Sequence, residues 1–186
     1  PGVTAKSGLR TSVRAVPRAQ TARSGATEIP QPGVDRLPLL RRFLSAYWLR
    51  PENAFWMTLR SLALSTAEWR GPSIDVSCGD GLFSFIHAGG ELDPAFDVFA
   101  SVASLDRVTH EHADMFDCAA PQYAPPVTRR PGRTIEIGTD LKDAMLAKAS
   151  ALGFYQRLIR HDSNERLPLP DASFETVYCN SAYWVE

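Results

Sequence analysis

Two glycines and an aspartate stand close together in "IDVSCGDGLF", residues 74–83. Gly79 and Gly81 can adopt left-handed backbone angles and let amide N–H groups approach a ligand with no Cβ in the way. A turn of this kind, leading from a strand into a helix, holds the polar end of a cofactor. The dinucleotide form, G-x-G-x-x-G, seats a pyrophosphate on the helix N-terminus. Here the run is G-D-G-L-F-S, with Ser84 in the third position. Asp75 lies inside the strand, four positions before Gly79, where a pyrophosphate site has only apolar residues. A carboxylate at short range repels phosphate, and it attracts a ligand that carries an ammonium and no phosphate.

The elements that must position these residues follow from the hydrophobic pattern. "SIDVS" reads as a strand, "GLFSFIHAG" as a helix, "RTIEIGT" as a strand and "LKDAMLAKASAL" as a helix. "RLIRHD" and "FETVYCNSA" read as two further strands. Strands alternating with helices imply βαβ units, and so a doubly wound parallel α/β sheet whose ligand sits at the carboxyl ends of the strands. Asp75, Asp140 and Asp162 fall at the ends of three successive strands. Each alone is an ordinary turn or strand-end acid; together they mark one end of the sheet. Ahead of the sheet, residues 39–49 and 50–65 show helical spacing, the second opening with Pro51 and Glu52. Leu49, Phe55, Trp56, Leu59, Leu62 and Leu64 are expected to form an apolar face that covers the core.

The turn and the strands after it resemble the class I methyltransferases that use S-adenosyl-L-methionine (SAM), a cofactor with an ammonium, a sulfonium and no phosphate. "SIDVSCGDG" (73–81) looks like the family's first motif, an acid followed by a glycine turn. "IGTDLKDAMLAKA" (137–149) looks like the second, where an acid ends the second strand. "RHDSNERLPLPDASFETVYCNSAYWVE" (160–186) is similar to the third and fourth strands and the turn between them. The resemblance covers residues 70–90 and 133–186 and implies a Rossmann-like methyltransferase fold with N-terminal helices. It implies that Asp75 holds the methionine ammonium, directly or through water. Ser77, Cys78, Gly79 and Gly81 would wrap the methionine and ribose. Asp140 would accept both ribose hydroxyls and Leu141 would pack on the adenine. Asp162 and the backbone of Ser163 would receive the adenine edge, and Asn180 would line the space beside the methyl group. The acceptor would be a small molecule, methylated at O, N or C, with no catalytic residue assigned. Ser77 replaces the family's first glycine, so positive φ there would cost about 1–2 kcal/mol. Two other readings stand beside this one: a nicotinamide-dependent oxidoreductase, and a non-catalytic nucleotide-binding module.

Gly81 and Asp140 lie 59 positions apart, against about 20 between a glycine turn and its ribose acid. Removing the 41 residues of 91–131 leaves 18, so that segment reads as an insert in an otherwise ordinary βαβ unit. It shows no strong periodicity and holds five prolines, as a lid or acceptor-recognition loop would. Within it, "THEHADMFDC" places His110, His112, Asp114 and Cys118 close together. No second ligand cluster at a recognised spacing accompanies them, so no metal is expected and a polar loop is the reading. His110 and His112 are general-base candidates.

The chain has 186 residues, 44% hydrophobic and 22% charged, enough for one domain with a core. A net charge of −1 gives no reason to expect nucleic acid, and no apolar run approaches the ~20 residues of a membrane span. Cys78, Cys118 and Cys179 show no C-x-x-C spacing and read as reduced thiols in a cytoplasmic protein, with Cys78 and Cys179 as small packing residues. Residues 1–27 are basic, Ser-rich and without acids, the first part of a disordered tail over 1–35 or an organelle-targeting peptide. The resemblance implies that residues 36–186 are the cofactor-binding domain. Four strands can be counted against the seven of the resembled family, so the sheet is expected to be truncated after the fourth. Tyr183 and Trp184 are expected to pack under the next crossover.

Overall fold

The structure, a computed structural model, describes residues 37–100 and 123–180. The first two elements are helices α1 (Leu37–Ala46) and α2 (Pro51–Leu64). Pro51 sits in the first turn of α2 with Glu52 beside it, where a missing N–H costs nothing and an acid suits the helix dipole. The face α2 buries is Ala54, Thr58 and Ser61. The expected apolar face is overturned: Leu49, Phe55 (52% exposed), Trp56 (59%) and Leu59 are exposed, and Leu62 and Leu64 are only partly buried. Small side chains let the helix approach its neighbours closely, and that leaves the large ones on the outside. The inner hydroxyls are satisfied locally, Thr58 Oγ1 donating to the Ala54 carbonyl at 2.7 Å and Ser61 Oγ bonded to His87 Nδ1 at 2.8 Å.

Strand β1 (Ser73–Val76) enters the glycine turn and α3 (Leu82–His87) leaves it. The chain continues through β2 (Glu91–Leu92), β3 (Val127–Arg129), β4 (Ile135–Asp140), α4 (Asp143–Ala151), β5 (Tyr155–Arg160) and β6 (Thr176–Cys179). Four of these strands form a parallel sheet in the order β5-β4-β1-β6, with Asp75 in register with Gly138 on one side and Tyr178 on the other. The strand order turns back at β1: the chain moves outward through β4 and β5 and returns on β1's other flank. Such a switch point opens a crevice at the carboxyl ends of the strands. The core beneath it joins Phe43 and Ala46 of α1, Leu82, Phe85 and Ile86 of α3, and Ile135, Leu152 and Phe154. β6 alternates as a half-covered strand should: Tyr178 is buried, Val177 is 68% exposed, and Cys179 is exposed too. The expectation that Cys179 packs inside is therefore wrong.

The segment read as a strandless insert is closed at its base. β2 and β3 pair antiparallel, with Glu91 opposite Arg129 and a 2.7 Å ion pair between those two side chains. Strands of two and three residues are too short to show a period, which is why the pattern missed them. The stretch after β2 is tied to the helices: Val98 N–H donates to the Ala46 carbonyl, and Asp97 Oδ2 accepts the Leu49 N–H at 2.8 Å. The basic segment 1–35, the His110–Cys118 cluster, Tyr183 and Trp184 lie outside the described residues. Among the described residues no helix is long and apolar enough to cross a membrane.

Candidate functional site

The glycine turn is built from left-handed residues. Ser77, Gly79 and Gly81 have φ of 56°, 59° and 75°. The positive φ at Ser77 is thus a real requirement, met by a residue with a Cβ. The two glycines are needed for different reasons. A Cβ on Gly81 would lie 2.8 Å from the Tyr155 ring and 3.3 Å from Ala149 and Leu152, so the turn packs there against α4 and β5. A Cβ on Gly79 would meet nothing within 4 Å. That side of the turn is open, which is where a ligand can meet the backbone.

Three loop tips are stitched together at this end of the sheet. The carboxylate of Asp140, last residue of β4, accepts the Gly79 N–H on Oδ2 at 2.9 Å and the Lys142 N–H on Oδ1 at 3.0 Å. Ser77 Oγ lies 3.0 Å from Ser163 Oγ, joining the glycine turn to the loop after β5. Cys78 N–H donates to the Thr139 carbonyl at 2.7 Å, and His161 N–H to the Asp140 carbonyl at 2.9 Å. Leu141, next to Asp140, is 51% exposed, an apolar surface beside the carboxylate. Asn180 stands one residue past β6, at the same end of the sheet. Asp162 is used locally: its Oδ1 accepts the Asn164 N–H at 2.9 Å, the bond of a turn former.

Asp75 occupies a layer behind the turn. It is 1% exposed, and its Oδ2 accepts two hydroxyls, Ser84 Oγ at 2.6 Å and Tyr155 Oη at 2.7 Å. Burial pushes its pKa up to about 6; the two hydroxyl bonds pull it down and the nearby charge of Asp140 adds to the rise. At neutral pH it is mostly ionised, a buried negative charge under the turn. The same setting raises the Cys78 thiol, through burial first and then Asp75, Asp140 and Asp80, so this cysteine is a neutral group rather than a nucleophile. Asp80 is also raised, by desolvation, against its bond from the Leu82 N–H and the charge of Lys148 on α4.

The partners of Asp75 escaped the sequence pattern. Ser84 stands where a dinucleotide site has its third glycine, and here its hydroxyl serves the strand acid. Three residues past Gly81, it falls on the inner face of α3, a signal that was present. Tyr155 is 80 positions from Asp75 and no local pattern links them. Lys148, buried on α4, had no signal beyond the rarity of a lysine on an inner helix face. Among the described residues no group of three or more His, Cys, Asp or Glu is placed to hold a metal ion. No protein-family model matches the chain, and neither a curated protein nor a solved structure matches it.

Proposed function

We propose that this chain binds S-adenosyl-L-methionine and transfers its methyl group to a nucleophilic O, N or C atom of a small-molecule acceptor, on a doubly wound fold of the class I methyltransferase kind. The observation that carries the reading is the joining of the glycine turn to Asp140 over a buried Asp75. The residues fit such a cofactor: the turn is open at Gly79, an acid with spare lone pairs lies beside it, and an exposed Leu141 follows. Asp140 would take the ribose hydroxyls on the lone pairs left by the Gly79 and Lys142 amides. Leu141 would lie against the adenine, and Asp162 and the Ser163 backbone would meet its edge. The buried charge of Asp75 would favour an ammonium in front of the turn, through an intervening water or the peptide dipoles, and would disfavour a pyrophosphate. When bound, the sulfonium supplies an activated methyl group. The chain's own part is to hold the acceptor in line and keep water out, so no general base is required of the described residues.

The test is calorimetry with S-adenosylhomocysteine against NADH, followed by Asp140→Ala and Asp140→Asn. The parent is expected to bind S-adenosylhomocysteine and not NADH. Losing a charged acceptor for two hydroxyls should weaken that binding by about 1.5–3 kcal/mol in Asp140→Ala, and by less in Asp140→Asn. Preferential binding of NADH would favour the oxidoreductase reading. Undiminished S-adenosylhomocysteine affinity in Asp140→Ala would remove the ribose assignment.

A further inference from the structure

A cleft of about 480 Å³ opens at the other end of the sheet. Trp69 precedes β1, Arg133 precedes β4 and His87 closes α3, so their cleft sits at the amino ends of the strands, away from the glycine turn. Its apolar wall is Leu64, Ala67 and Ala88. Its polar wall is a guanidinium: Arg133 Cζ lies over the Trp69 ring, 4.3 Å from its centroid. Arg133 Nε is buried and has no hydrogen-bond partner among the described residues. The neighbouring arginines differ. Arg42 donates to the Pro38 and Ile86 carbonyls, Arg129 pairs with Glu91, and Arg130 donates to the Leu152 and Gly153 carbonyls. Desolvation alone lowers the Arg133 pKa, with no described carboxylate opposing it.

His87 completes the cleft. Its ring stacks on Phe83 at 5.9 Å, and Nδ1 is bonded to Ser61 Oγ. Burial first, then the charges of Arg133 and Arg42, hold its pKa down at about 4, so the imidazole is neutral and, among the described residues, the Arg133 charge at the cleft has no carboxylate opposite it. A guanidinium that lines a cleft with no described carboxylate beside it is best answered by a charged acceptor. A planar carboxylate matches the fork of one guanidinium. A phosphate dianion would have to shed more hydration against an apolar wall with a single arginine to receive it.

We propose that this cleft binds an organic monocarboxylate with a small apolar body, its carboxylate on Arg133 and its apolar body against Leu64, Ala67 and Ala88. The site stands apart from the methyltransferase reading and survives that reading's failure. Hexanoate serves as the probe, with hexanamide, acetate and inorganic phosphate as controls, using the full chain and ligand-observed NMR. Hexanoate is expected to saturate, and each control to bind at least about tenfold more weakly. An anion beside His87 must raise its pKa from about 4, which the ring proton resonances report on titration. Arg133→Gln should weaken hexanoate binding at least about tenfold with an unchanged circular dichroism spectrum. Hexanamide or phosphate binding as tightly as hexanoate, or a His87 titration unmoved at saturating hexanoate, would overturn the proposal. Those measurements on the unaltered chain decide the matter even if the Arg133 variant does not fold.

Discussion

Asp75 makes the stability of this fold depend on pH in a direction opposite to that of most carboxylates. Its pKa stands at about 6 in the folded chain, against 3.8 for an unperturbed aspartate, with burial as the main cause. The folded chain therefore holds this proton more tightly than the unfolded chain does. Below pH 3.8 both states are protonated and the fold has its full stability from this group. As pH rises from 3.8 towards 6 the unfolded chain releases its proton first, so stability falls, and the loss levels off above about 6. The gap between the two values corresponds to about 3 kcal/mol at most. Asp75→Asn removes the titration and leaves an amide oxygen to accept the Ser84 and Tyr155 hydroxyls. Urea unfolding followed by circular dichroism, at half-unit steps from pH 4 to 7.5, gives each protein's stability curve. The difference between variant and parent cancels the other acids and should shift in the variant's favour by about 2–3 kcal/mol across the window. At neutral pH the gain is partly offset by the unpaired amide N–H groups, at about 1–3 kcal/mol. A difference curve that is flat between pH 4 and 6.5, or that moves in the parent's favour, would show that Asp75 does not carry a raised pKa.

The turn itself is open to direct tests. Gly81→Ala adds about 1–2 kcal/mol of left-handed strain to an overpacking cost of about 1–3 kcal/mol against Tyr155, whereas Gly79→Ala has the strain alone; thermal melts should rank them in that order. Tyr155→Phe leaves the buried Asp75 carboxylate one donor short and should cost about 1–3 kcal/mol at pH 7, with a smaller loss at pH 4.5, where the carboxyl is protonated; an equal loss at both pH values would detach the hydroxyl from the charge. Ser77→Ala and Ser77→Gly both lose the bond to Ser163, but glycine fits φ 56° without strain, so Ser77→Gly should unfold at higher urea than Ser77→Ala.

The sheet was legible because each of its strands is bounded by a breaker and carries an apolar pattern long enough to read. "SIDVS", "RTIEIGT", "RLIRHD" and "FETVYCNSA" each contain or overlap an observed strand. What the pattern could not say is which face of α2 turns inward. Phe55, Trp56 and Leu59 are the greasier choice, yet Ala54, Thr58 and Ser61 are buried. Hydrophobicity counts what a residue gains by burial. It does not count how near two backbones must come, and here the close approach that brings Ser61 within 2.8 Å of His87 decides the face. The pairing of β2 with β3 was hidden for a different reason: their partners are set by what lies between them, 34 intervening residues whose pattern does not announce a return.

The candidate site shows the same division between local and non-local information. Gly79, Gly81, Ser77 and Asp140 were readable because backbone angle and strand-end chemistry are local properties. The layer that sets the charge of Asp75 is not local. Ser84 reaches it by helical periodicity from nine positions away, and Tyr155 by the parallel order that puts β5 beside β4 and β4 beside β1. Gly138 completes that route. A Cβ there would lie 2.8 Å from both Tyr155 and Leu158, so only glycine at the β4 position facing Asp75 leaves room for the tyrosine to cross. Gly138→Ala should therefore act on Asp75 without touching it. Displacing the Tyr155 hydroxyl removes one donor and raises the Asp75 pKa above 6, steepening the loss of stability with pH. The variant's difference curve against the parent, measured as for Asp75→Asn, should fall by about 1–3 kcal/mol towards neutral pH. A variant destabilised by the same amount at every pH would mean that Gly138 only makes room for side-chain packing and has no part in tuning the acid.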